Sequence, residues 1–69
     1  MTQRERILKY LMDFGSITPL EAMRDLGIMR LTARIWELNR MGYSIIRETE
    51  VSQNRYGQTT RYARYRMAA

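Results

Sequence analysis

The sequence contains no cysteine and no histidine. The first absence removes disulfide staples and thiolate metal sites, and the second removes the commonest metal ligand and the side chain that moves protons near neutral pH. Ser16, Ser44 and Ser52 therefore have no histidine to activate them, and the carboxylates show no metal-like spacing. The expectation is a protein that is not an enzyme and carries no cofactor. Long apolar runs are also missing, since nothing approaches the roughly 20 residues of a membrane span. The opening Met1-Thr2-Gln3-Arg4-Glu5-Arg6 enters a charged, periodic pattern, not an apolar signal segment, so a cytoplasmic chain without membrane contact is expected. Apart from the Met67-Ala68-Ala69 tail there is no linker, repeat or low-complexity stretch.

What remains is a chain of 69 residues, read as one domain over 1–69. At this size folding removes only about 60% of the unfolded surface from water, so one small core and marginal stability are expected. The net charge of +5 is unevenly placed: residues 1–29 are neutral, 30–46 carry +2 and 47–69 carry +3. Of the 12 basic residues 11 are arginine, whose planar fork suits phosphates and base edges, so the surplus points to nucleic acid before membrane.

Thr2-Gln3-Arg4-Glu5 is a capping box that predicts a helix over 3–14, with Ile7, Leu8, Leu11, Met12 and Phe14 at helical spacing and Gly15 at its end. Ser16-Ile17 has room for one or two residues of strand. Thr18-Pro19-Leu20-Glu21 is a second capping box with proline at the first helical position, predicting a short helix over 18–26 that Gly27 stops. After a tight Ile28-Met29-Arg30 connection, Leu31, Ile35 and Leu38 recur at i, i+4 and i+7 and predict a third helix over 30–41. From Tyr43 the period becomes two. Ile45, Arg47, Thr49 and Val51 share one face of a strand over 44–51, and Arg61, Ala63, Tyr65 and Met67 share one face of a second over 60–67. The polar loop between them completes a hairpin. The fold class is α+β: a winged helix-turn-helix, a three-helix bundle followed by a two-stranded antiparallel β-hairpin wing. Ile7, Leu11, Leu26, Ile35, Leu38, Ile45 and Tyr65 are expected in the core, with Met12, Met23, Met29, Met41 and Met67 as flexible filler.

The run Arg6-Ile7-Leu8 through Gly15-Ser16-Ile17-Thr18-Pro19-Leu20-Glu21-Ala22, then Leu26-Gly27-Ile28, Arg34-Ile35, Glu37-Leu38 and Gly42-Tyr43, resembles the small helix-turn-helix domains common in phages and prophages. The resemblance covers nearly the whole chain, and Ile17 to Leu38 is its specific part. It implies a winged-helix fold and double-stranded DNA as partner, with the role of transcriptional regulator. The alternative it implies is a phage-encoded, anti-CRISPR-like inhibitor that binds a host protein or nucleoprotein complex.

With Leu31, Ile35 and Leu38 inward, the third helix turns Thr32, Ala33, Trp36, Glu37 and Arg40 outward, with Arg30 at its entrance. Arg30 and Arg40 suit phosphates or guanine edges, Thr32 suits a phosphate or base, and Ala33 permits close approach. Trp36 reads first as a partly buried core residue, and second as a group packing on sugar-phosphate or on a protein. Arg34 reads as cover for apolar surface, and Glu37 as a partner for Arg34 or Arg40 or as an acceptor from cytosine. On the wing, Arg55, Arg61, Arg64 and Arg66 with Tyr56 and Tyr62 suit a backbone or minor-groove contact. The expected state is a monomer or a weak homodimer through Trp36 or a hairpin edge.

Overall fold

The computed structural model describes residues 1–68; Ala69, the end of the tail, lies outside the described residues. Helix α1 spans Gln3–Phe14. The Thr2 hydroxyl accepts the Glu5 N–H at 3.1 Å, and the Glu5 carboxylate accepts the Thr2 N–H at 3.2 Å, so two backbone donors with no intrahelical partner are satisfied reciprocally. The helix buries Ile7, Tyr10 and Leu11, spaced i, i+3 and i+4, and ends where Gly15 adopts φ 86° and donates to the Leu11 carbonyl. Strand β1, Ser16–Ile17, leads into the second capping box, with Thr18 and Glu21 at 3.2 and 2.9 Å.

Helix α2 starts as an α-helical turn over Pro19–Glu21 and then widens into a π-helical turn over Ala22–Leu26. Uniform α-helix over 18–26 was the expectation, and the widening is the correction. At its exit the left-handed Gly27 (φ 69°) donates to the Ala22 carbonyl five residues back as well as to Met23, and the Ile28 N–H reaches the Ala22 carbonyl at 3.0 Å, with Ile28 buried in the core. Leu26, expected in the core, is left half-buried at its rim. Helix α1 also holds this end in place. The Arg6 guanidinium donates to the Leu26 carbonyl at 2.8 Å, and the Tyr10 hydroxyl donates to Asp25 at 2.7 Å.

Helix α3 spans Leu31–Arg40 and buries Leu31, Ile35 and Leu38. Strands β2, Ile45–Gln53, and β3, Thr59–Met67, pair antiparallel along their full length, from Ile45↔Met67 to Gln53↔Thr59. Among the described residues the sheet has three strands, in the order β1-β3-β2: the short strand allowed at Ser16-Ile17 joins the expected two-stranded hairpin. Strand β1 pairs through Ser16↔Arg66 and Ile17↔Tyr65. That pairing with a distant strand is not readable from so short a segment.

The core joins all these elements through Ile7, Tyr10, Leu11, Ile17, Ala22, Ile28, Leu31, Ile35, Leu38, Ile45, Ala63 and Tyr65. The methionines correct a second expectation. Met12, Met23, Met29 and Met41 are exposed, and only Met67 packs partly against the core. Met12 falls off the stripe set by Ile7, Tyr10 and Leu11, Met29 sits in the turn, and Met41 follows the last inward residue of α3. Phe14, also expected inward, lies outside and packs its ring at 4.6 Å on Tyr10.

Leu38 has no solvent exposure at the meeting point of α3 with the rest of the core. Replacing it with alanine is expected to cost about 2–5 kcal/mol, a large part of the stability available to so small a domain. Urea titration followed by circular dichroism checks this, and a midpoint equal to the parent's contradicts the placement.

Candidate nucleic-acid interface

Helix α3 shows solvent a stripe that runs Met29, Thr32, Ala33, Trp36 and Arg40, with Arg30 at its N-cap. Trp36 is 59% exposed, which corrects the expectation of a partly buried core residue. The reason is angular: Leu31, Ile35 and Leu38 occupy the inward stripe, and Trp36 projects away from it. The Arg40 guanidinium lies 4.8 Å over the Trp36 ring, a cation–π contact that leaves its N–H fork free. Thr32 bonds the Tyr65 hydroxyl at 3.1 Å, so the hydroxyl expected to meet a phosphate or base already makes one bond to the sheet. Ala33 is half-buried.

Two further polar groups on α3 are committed to the scaffold. The Asn39 amide accepts the Ile45 N–H at 2.8 Å and donates to the Ile45 carbonyl at 3.2 Å, fixing the start of β2 on the helix. Glu37 pairs with Arg34 at 3.1 Å and with Arg4 at 3.7 Å, so it takes Arg34 of its two expected partners and not Arg40.

Strand register sorts the wing arginines onto two faces. Arg47 stands opposite Tyr65 and Arg61 opposite Val51, so both share the face whose Tyr65 touches the start of α3. Arg55 is exposed in the hairpin turn. Arg64 and Arg66 belong to the other face. Arg64 bonds Glu50, Ser16 at 2.9 Å and Glu21 at 3.4 Å, and Arg66 bonds Glu48. The wing residues predicted from sequence therefore separate: Arg55 and Arg61 remain available, whereas Arg64 and Arg66 tie the sheet to its own carboxylates and, through Arg64, to α2. Tyr62 joins this second group by donating to Glu50 at 2.8 Å. Arg47 was missed as a site residue, although the alternation that put it on one face with Val51 was enough to find it.

Among the described residues, every carboxylate has a partner of this kind. Glu5 caps α1, Asp13 pairs with Lys9, Asp25 with Arg24 and Tyr10, and the remaining four engage arginines as above. Among the described residues, five arginines have no carboxylate neighbour and no hydrogen bond to the scaffold: Arg30 and Arg40 at the ends of α3, and Arg47, Arg55 and Arg61 on the wing. Among the described residues no group of acids is arranged to hold a metal ion, and no helix is long and apolar enough to cross a membrane.

A family model described as a winged helix-turn-helix domain matches residues 2–69. The chain belongs to the winged helix-turn-helix domain family. No curated protein matches it. In winged helix-turn-helix terms, α2 and α3 are the paired helices and the β2–β3 hairpin is the wing. Membership bears out the expected α+β winged fold and suggests DNA as the partner.

The Tyr62 hydroxyl and then Arg64 hold the Glu50 carboxyl below its ordinary pKa, and Arg24 and then Tyr10 do the same for Asp25. The Asp25 bond in turn raises the Tyr10 phenol. A carboxyl depressed in the folded state contributes stability that is complete above its unfolded pKa, about 4, and lost as the pH falls through the lower folded value. Thermal stability is therefore expected to fall on acidification below about pH 4, and Glu50→Gln to flatten that decline. Melting temperatures across the acid range test it, and an unchanged pH profile for Glu50→Gln contradicts the assignment.

Proposed function

We propose that this domain binds duplex DNA as a transcription regulator, with α3 in the major groove and the wing over the adjacent backbone. The observation that carries the reading is the segregation of charge. The carboxylates are consumed within the scaffold, and the arginines left without partners sit on α3 and on the wing face that adjoins it. Arginine in that state has its full donor set available for phosphate oxygens and guanine edges, and neutralising phosphates releases counterions. Family membership supports the same docking, since the second helix of a helix-turn-helix is the one presented to the groove. The role proposed is binding and not catalysis.

Binding is expected to weaken steeply with salt, the log–log slope approaching the number of phosphates neutralised. Arg30→Ala, Arg47→Ala and Arg61→Ala each reduce that slope by about 1. Arg66→Ala, which removes a side chain already paired with Glu48, leaves it unchanged. Titration of a labelled random-sequence duplex at two salt concentrations measures all four. Absence of binding at about 50 mM salt contradicts the DNA reading and moves the search to a protein partner.

A further inference from the structure

The polar inventory of α3 narrows what its centre has to offer a base pair. Asparagine is the side chain best matched to adenine, but both ends of the Asn39 amide are bonded to Ile45. Glutamate is the acceptor matched to the cytosine amino group, but Glu37 is held by Arg34 and Arg4. The Thr32 hydroxyl is held by its bond to Tyr65, and the Thr32 methyl is that residue's apolar group. Between the flanking Arg30 and Arg40, the exposed middle of the helix is thus largely apolar: the Thr32 methyl, Ala33 and the indole of Trp36, whose one polar group is its ring N–H. This surface lines a shallow groove that Pro19 and Met29 continue.

An apolar centre between two unpaired arginines fits one feature of the major groove. The 5-methyl group of thymine is the apolar mark on a base edge there, and small apolar side chains are its matching contacts. We infer that the central turn of α3 reads thymine methyl groups, while Arg30 and Arg40 contact the flanking guanine edges or phosphates. The inference rests on the proposed DNA binding and deepens it, naming thymine-containing major-groove steps as the preferred partner. From Thr32 to Trp36 the helix rises about 6 Å, enough to cover about two base-pair steps of 3.4 Å each. The contacted thymines are thus on neighbouring pairs.

The test starts by selecting the tightest duplexes from a random-sequence pool. The preferred sequence is then synthesised twice, once with thymine and once with deoxyuridine at each thymine position, which deletes only the methyl groups. Affinity is expected to fall about fourfold for each contacted methyl, the worth of one buried apolar carbon. The salt slope should stay the same, because no charge changes. Trp36→Ala, at an exposed position, and Thr32→Ser, which keeps the hydroxyl for Tyr65 and removes only the methyl, should each shrink the thymine-to-uracil ratio. Circular dichroism checks that both variants fold, and Thr32→Ser stands alone if Trp36→Ala does not. Equal affinity for the thymine and uracil duplexes, or selected sequences that lack thymine, overturns the inference and leaves DNA binding standing. Failure to select any duplex overturns both.

Discussion

The relation between the wing and helix α3 rests chiefly on Tyr65, which links the core, both neighbouring strands and the start of α3. It is buried in the core, stands opposite Ile17 of β1 on one side and Arg47 of β2 on the other, and bonds Thr32 at the start of α3. A two-stranded hairpin is at best marginally stable alone, and the outer half of this one is exposed on both faces. Its orientation is inherited from the inner half, where β1 adds a third strand and the Asn39 amide clamps the first residue of β2. The arginines of the wing and of α3 are thereby held on one surface by the core, without needing contacts of their own.

Electrostatics follow the same division. Carboxylates on the second face of the hairpin and on α2 engage Arg64, Arg66 and Tyr62, and Arg64 ties the sheet to α2. Exposed pairs of this kind contribute little each, so their greater effect is on where charge remains. With the acids committed, the net positive charge is left on α3 and on the wing face that carries Arg47 and Arg61. A surface of one sign raises the rate of encounter with a polyanion before any base is read.

Local signals in the sequence were legible where one element carries all the information. Both capping boxes, the Gly15 and Gly27 stops and the Leu31, Ile35, Leu38 stripe produced helices at the expected places. The alternation from Ile45 and from Arg61 likewise produced the hairpin, with Ala63 and Tyr65 inward. Features that depend on distant pairing were not legible. The place of β1 beside β3 depends on Ile17 meeting Tyr65, the widened end of α2 on the backbone bonds of Gly27 and Ile28 to Ala22, and the neutralisation of Arg64 on Glu21 and Glu50 converging on it. Hydrophobicity also misled: Met12 and Trp36 are apolar yet lie outside the stripe that their helices turn inward, and Met29 and Met41 lie in the turns flanking α3. The candidate face on α3 was readable from helical spacing, whereas the sorting of wing arginines needed the register.

The central claim is that one surface, made of α3 and the Arg47–Arg61 face of the wing, is where the partner binds. Backbone amide chemical shifts, followed by NMR as a duplex is titrated into labelled protein, test it most directly. Changes are expected to concentrate on Met29 to Arg40 and on Arg47, Arg55 and Arg61, with Lys9 to Phe14 of α1 and the Glu48–Arg66 pair unaffected. Changes centred on Met12 and Phe14, or on the Leu20 and Tyr62 side of the sheet, would contradict it.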